Sequence, residues 1–262
     1  MTIRSTDTSD TTINNRLRAT ELDVIRGFAI ILMFGHHFMY DVHYIFGYPN
    51  FSWLFGPAME SIYHPLIYIL FLGVAGACSC FSRNNLKRSG RLALIALGLT
   101  LITSIVSAVI KSDYYILWQV IHCLAFCNLL NGLLEKTVLS EKIKIVILLL
   151  TGFIILFYVP QIFNVFNLDY KGSPLLLPFG IGYLRPEVPG MLDYLPLIPY
   201  SGCFFIGVAL GKIIYPGGRI QKQYCSGKVF RPLAFMGRHA LLIYAIHQPI
   251  LIAVIWLWTK LF

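Results

Sequence analysis

The sequence predicts an all-α integral membrane protein: a bundle of about seven transmembrane helices, with the N-terminus inside and the C-terminus outside. Three observations carry that expectation. The chain of 262 residues is 57% hydrophobic and only 13% charged, with a mean hydropathy of +0.70, which leaves too few polar side chains to coat a soluble domain. Its apolar residues fall into runs of about 20, the length a helix needs to cross a bilayer. Its basic residues gather on one side of those runs, as the positive-inside rule requires of the cytoplasmic face.

In chain order, the first fifteen residues, MTIRSTDTSDTTINN, are polar and Thr-rich. They have neither an apolar core nor a small-residue cleavage site, and so read as a disordered cytoplasmic tail rather than a signal peptide. Residues 16–262 read as a single transmembrane domain without solenoid repeats. Spans are expected at roughly 22–46, 64–82, 91–110, 116–134, 143–160, 194–214 and 239–259. Two connections are long. The outer stretch Gln161–Tyr194, with "KGSPLLLPFGIGYLRPEVPG", is too rich in Pro and Gly for a continuous helix and is a natural lid. The inner stretch Tyr215–Arg238, with "PGGRIQKQYCSGK", is basic, polar and expected to be mobile.

Of the 21 lysines and arginines, all but Lys111, Lys171, Arg185 and Lys260 fall inside under this topology. The net charge of +9 therefore sits against anionic lipid and cytosolic phosphates, and calls for no nucleic acid. The expected location is the cytoplasmic membrane of the cell, multi-pass, with membrane lipids as neighbours and a homodimer left open. The six cysteines lie within spans or on the inner side, where no disulfide is expected, and Cys78-x-Cys80 lacks zinc-ligand spacing, so no metal is expected.

The first span, "ELDVIRGFAIILMFGHHFMYD", carries ionisable groups at membrane depth, which are costly there and mark function by default. Eleven helical residues return to within about 20° of the starting direction. Arg26 and His37 therefore share a stripe, about 16 Å apart along the axis, with Asp23 one turn before and Asp41 one turn beyond. His36 turns away toward Tyr40 and His43. Arg26 is suited to fork onto phosphate or carboxylate oxygens, His37 to take and return a proton as a general base, and Asp41 to fix its tautomer. The plainer readings are an arginine anchored to Glu21 and Asp23 and a histidine bonded to a neighbouring helix. Arg83, Lys87, Arg88 and Arg91 form the densest inner cluster, suited to the phosphates of a nucleotide or to lipid headgroups. His122 and His247 lie in or near apolar spans. Pro249 in "YAIHQP" has no N–H to give the Ala245 carbonyl, which favours a kink near His247. Asp193, before "YLPLIPY", is placed to bind an acceptor or to cap a helix. Gly73, Gly76 and the Gly207-x-x-x-Gly211 pair read as packing positions.

The Glu21-Leu-Asp-Val-Ile-Arg26-Gly27 segment and its spacing to His37 resemble the first span of two groups of membrane acyltransferases. These are the heparan-alpha-glucosaminide N-acetyltransferase catalytic-domain family, bacterial relatives included, and acyltransferase family 3. "FLGVAGACSCFSR" (71–83), "LWQVIHCLAFCNLL" (117–130), "DYLPLIPYSGCFFIGVALGK" (193–212) and "GRHALLIYAIHQPI" (237–250) resemble bacterial members of the first family in the same order. The resemblance implies an acyl group, most simply acetyl, passing from cytosolic acyl-coenzyme A to an amine or hydroxyl of a sugar or glycan presented outside. It implies Arg26 as a donor contact and His37 as the catalytic histidine; the inner cluster places Arg83, Lys87 and Arg91 to join Arg26 at the donor, and the helical stripe places Asp41 beside His37. The eukaryotic enzyme has asparagine at the position of His37 and its histidine after the span, so His43 and His64 stand as alternatives for the role. His36, His122, Asp193 and His247 are accessory candidates. The competing reading is a small multi-span transporter or proton-coupled channel, which also uses buried histidines.

Overall fold

Helix boundaries follow local chemistry. The third helix starts where the Asn84 side chain accepts the backbone N–H of Lys87 at 3.0 Å and stops at Lys111, whose left-handed φ of 52° ends it. Ser140 caps the fifth helix in the same way, accepting from the Ile143 N–H at 3.4 Å. The computed structural model describes residues 18–111, 116–165, 174–180 and 194–261. The expected N-terminal tail, 1–15, and Asp193 lie outside the described residues, as does most of the outer connection.

Nine α-helices follow among the described residues: α1 Thr20–Tyr40, α2 His64–Ala77, α3 Asn85–Ile110, α4 Val120–Glu135, α5 Glu141–Phe153, α6 Val159–Val165, α7 Leu197–Ile214, α8 Arg231–Arg238 and α9 Ala240–Leu261. No strand occurs among those residues. Six helical stretches are long and apolar enough to cross a membrane: Thr20–Ile45, Ser61–Phe81, Asn85–Val109, Glu141–Ile162, Leu197–Ile214 and Ala240–Leu261. The fourth expected span is shorter. Gln119 is extended (φ −149°, ψ −176°), so α4 has 16 residues, about 24 Å, and it buries Asn128 and Asn131 completely in the interior.

α7 is the hub, packed by α2, α5 and α4, while α3 packs along α4. Small residues allow this. A side chain on Gly207 would collide with the carbonyl oxygen of Gly73, and one on Gly76 with that of Phe204, so α2 and α7 touch backbone to backbone as the glycine spacing predicts. Leu72, Phe204 and Val208 are fully buried at this seam.

Two features depart from the sequence reading. The inner connection, expected to be mobile, ends in α8, which lies tightly along α1 and leads into α9. The close approach exists because Gly27 faces the Leu233 backbone and Gly237 faces the Asp23 backbone, with no room for a side chain on either glycine. The second departure is π-helical winding. The first span ends in a π turn, Asp41–Ile45, and the fifth passes through another, Ile154–Tyr158, just before Pro160, which cannot donate to the ladder.

Gly207→Val is expected to force α2 and α7 apart and to destabilise the detergent-solubilised protein by about 2 kcal/mol or more. Gly98→Ala, on an open face of α3, is expected to be neutral or slightly stabilising. Thermal unfolding of the two variants checks the contrast.

Candidate functional site

Successive α-helical residues turn by about 100°, so His36 and His37 stand on the two flanks of one edge of α1. That edge faces α2 on one side and α9 on the other. A cavity of about 670 Å³ opens there, bounded by α1, α2, α3, α9 and the residues leading into α4. Four histidines line it: His36 and His37 from α1, His64 from the first turn of α2, and His247 from α9. His36 does lie near Tyr40, with ring centroids 6.3 Å apart, yet it shares the cavity with His37. Its Nδ1 is 3.2 Å from Nε2 of His64, so one ring donates to the other. The His37 and His247 rings meet edge on at 4.7 Å.

The hydrogen bonds fix part of the proton arrangement. His247 Nδ1 is 2.6 Å from the Tyr244 carbonyl oxygen, and a carbonyl only accepts. Nδ1 is therefore the protonated nitrogen, and the neutral ring carries its lone pair on Nε2. Tyr244 in turn donates its hydroxyl to Gln119 Oε1 at 3.1 Å, which ties α9 to the start of α4. Asp41 is fully buried. It accepts from Gln248 Nε2 at 2.8 Å and lies within coulombic reach of His37. It is the residue at which α1 changes to π winding, a local irregularity that recurs at functional sites.

The opposite, basic end of the bundle gathers Thr20, Ala77, Asn85, Glu135, Glu141, Ile214 and α8. There Arg26 is enclosed by its own protein. Its Nη1 donates to the Gly237 carbonyl at 3.1 Å and to Asp23 Oδ1 at 3.4 Å, and its Nη2 to Cys78 Sγ at 2.7 Å. Asp23, itself buried, also accepts from Arg18. Tyr215 donates its hydroxyl to Glu21 Oε1 at 2.6 Å, and burial, then that carboxylate, hold the tyrosine above its ordinary pKa. A second cavity, a groove of about 660 Å³, opens at this end. It is lined by Arg83, Lys136, Lys142 and Lys212 together with Glu135 and Glu141. Lys212 bridges the two acids at 2.6 and 2.7 Å.

The structure thus brings together His36, His37, His64, His247 and Asp41, and sets Arg83 in the groove. Arg26 lines neither of these two cavities, and the exposed Lys87 and Arg91 stand at the basic end outside both. His43 bonds the Asn50 carbonyl through Nδ1 at 2.8 Å, away from the cavity lining. His122 pairs with Thr100 Oγ1 at 3.2 Å beside the Trp118 ring. No three His, Cys, Asp or Glu side chains among the described residues are placed to hold a metal ion. Sequence reasoning missed Tyr244 and Gln248 as partners of the site. Their only sequence signal was proximity to His247, three residues after one and immediately before the other.

Comparison with protein families matches residues 18–249 to the family described as heparan-alpha-glucosaminide N-acetyltransferase, catalytic. No curated protein and no solved structure matches the chain.

Arg26→Lys leaves one ammonium where a guanidinium meets a carboxylate, a carbonyl and a thiol. It is expected to loosen α8 from α1 and to cost about 1.5–3 kcal/mol, read as a lower midpoint of thermal unfolding. An unchanged midpoint would show that the contacts of Arg26 contribute nothing to the fold.

Proposed function

The chain belongs to the heparan-alpha-glucosaminide N-acetyltransferase catalytic family, which makes it a multi-helix membrane transferase, and on that premise we propose that it acetylates an amine or hydroxyl from acetyl-coenzyme A. The family implies this donor. The acceptor, in this reading, is a sugar or glycan reached from the outer side of the cytoplasmic membrane, with the basic end of the bundle inside. The observation that supports the reading best is the convergence of His36, His37, His64 and His247 from three helices on one cavity.

In the proposed reaction His37 is the general base. It removes the proton of the acceptor N–H or O–H as that atom attacks the thioester carbonyl. Collapse of the tetrahedral adduct breaks the C–S bond, and the imidazolium returns the proton to the leaving thiolate. Asp41 favours the charged imidazolium by its nearby carboxylate. His247, the second ring of the pair, is held in a defined proton state by its Nδ1–H bond to the Tyr244 carbonyl. The donor's phosphates are proposed to meet the basic end, where Arg83 lines the groove with Lys136, Lys142 and Lys212, and where exposed Lys87 and Arg91 add positive potential. Arg26 serves this end by holding α8 and the α2 terminus in place.

In membranes supplied with labelled acetyl-coenzyme A and amino-sugar acceptors, His37→Ala is expected to lower kcat by about 10²–10⁴-fold. His43→Ala, whose ring bonds a loop carbonyl, is expected to keep kcat within about threefold, since it removes no proton-transfer group from the cavity. Full activity of His37→Ala would sink the assignment of the base.

A further inference from the structure

The histidine cavity has a wall that proton transfer does not use. On its α3 side stand Leu99, Ile102 and Val106 with Thr103, whose hydroxyl donates to the Leu99 carbonyl at 2.8 Å, and on its α9 side Pro249 and Ile252 lie beyond His247 and Gln248. α3 packs along α4 and α9 packs against α1 and α8, with no extended contact joining α3 to α9 among the described residues. Ile102 and Val106 are 59% and 47% exposed although they line the cavity, so these side chains face the interior and the surroundings at once. The cavity therefore opens sideways between two helices.

What lies outside that opening is hydrocarbon. No charged residue occurs between Arg91 and Lys111, and Ile102 is about 16 Å along α3 from the first and about 14 Å from the second. Ile252 is about 12 Å from Lys260 along α9. Both rims thus fall well inside an apolar slab about 30 Å thick. A free sugar entering by this route would have to shed its water among lipid tails, a large cost for each hydroxyl left without a partner. A sugar carried on a lipid would bring its own hydrocarbon into the cleft and leave only its head to reach the histidines.

Resting on the acetyl-transfer reading above, we propose that the cleft between α3 and α9 holds the hydrocarbon tail of a membrane-anchored acceptor, a lipid-linked sugar bearing the amine or hydroxyl to be acetylated. An acetyl donor has no long chain of its own to fill an apolar cleft of this kind, and the cleft is continuous with the histidine cavity. In the step it serves, the acceptor's N–H or O–H bond breaks and an N–C or O–C bond forms to the acetyl carbon. The thioester C–S bond breaks, and the proton ends on the coenzyme A thiol.

The test uses the full chain in liposomes with labelled acetyl-coenzyme A and two acceptors, glucosamine and decyl glucosaminide. Each methylene buried in the cleft multiplies affinity about fourfold, so KM for the decyl acceptor is expected to be at least about tenfold lower. Ile102→Trp and Val106→Trp are expected to raise that KM about tenfold by filling the cleft, while Leu94→Trp, on the exposed face of α3 away from it, leaves KM unchanged. Equal KM for the two acceptors overturns the proposal, as does indifference to both cleft substitutions. A photoreactive group on the decyl chain guards against misfolded variants. On the unmodified chain it should label residues 99–106 and 249–252, and unlabelled decyl glucosaminide should suppress the labelling. Label elsewhere overturns the proposal, and so does protection of this segment by palmitoyl-coenzyme A, which would assign the cleft to a donor tail. Binding of acetyl-coenzyme A, measured in parallel, separates the two readings: bound donor without preference for the tailed acceptor removes the lipid-linked acceptor alone, and no bound donor removes acetyl transfer with it.

Discussion

The clamp of α8 on α1 is the contact on which the site depends. Two glycines, Gly27 and Gly237, let the backbones meet, and Arg26 closes the junction by donating across it to the Gly237 carbonyl at 3.1 Å. A charged donor so close to the hydrocarbon is tolerable only when its protons are satisfied within the protein, and Asp23, Gly237 and Cys78 do that. Because α8 leads into α9 after a single residue, fixing α8 fixes the starting point of α9. Nine residues after Arg238, His247 arrives beside His37. The arginine and the histidine of the first span are therefore connected mechanically, through α8 and α9, rather than by sharing a cavity.

The second constraint is the scarcity of water. Inside a bilayer a polar side chain without a partner costs several kcal/mol by ~2–7 kcal/mol transfer scales, so the hydrogen bonds around the cavity determine where groups point. Gln248 turns toward Asp41, Tyr244 toward Gln119, and His247 toward the Tyr244 carbonyl one turn earlier. The first ties α9 to the π turn that ends the first span and the second ties it to the approach to α4, while the third lies within α9 itself; none of the three crosses the cleft toward α3. A hydrogen-bonded polar corner next to an apolar edge suits the proposed acetyl transfer, which needs its proton-transfer groups held in place.

Much of this was legible in the sequence, because the relevant patterns are local. Hydropathy located six of the seven expected spans among the described residues, and glycine spacing marked the α2–α7 seam. What was not legible depends on distant partners. The packing of α8 on α1 could not be read from "RPLAFMGR", since a short basic segment with one glycine looks the same whether it floats or docks. Arg26 offered two readings, and its engagement by Gly237, 211 positions away, is invisible to local spacing. His36 ranks only as an accessory candidate in the sequence because it leaves the Arg26 stripe, but the cavity is wide enough to collect both flanks of α1. The π turn at Asp41 and the late start of the fourth helix, after the extended Gln119, are backbone choices that tertiary contacts decide.

The central claim is that His37 and His247, delivered by two helices that α8 holds together, act as one proton-handling unit. A double-mutant cycle on kcat/KM for acetyl transfer, with His37→Ala, His247→Ala and the double variant, tests it most directly. Residues that work as a unit are strongly non-additive, so the double variant should be little worse than the more damaging single substitution. Losses that simply multiply would mean that the two rings act independently, and that their contact in the cavity has no part in the chemistry.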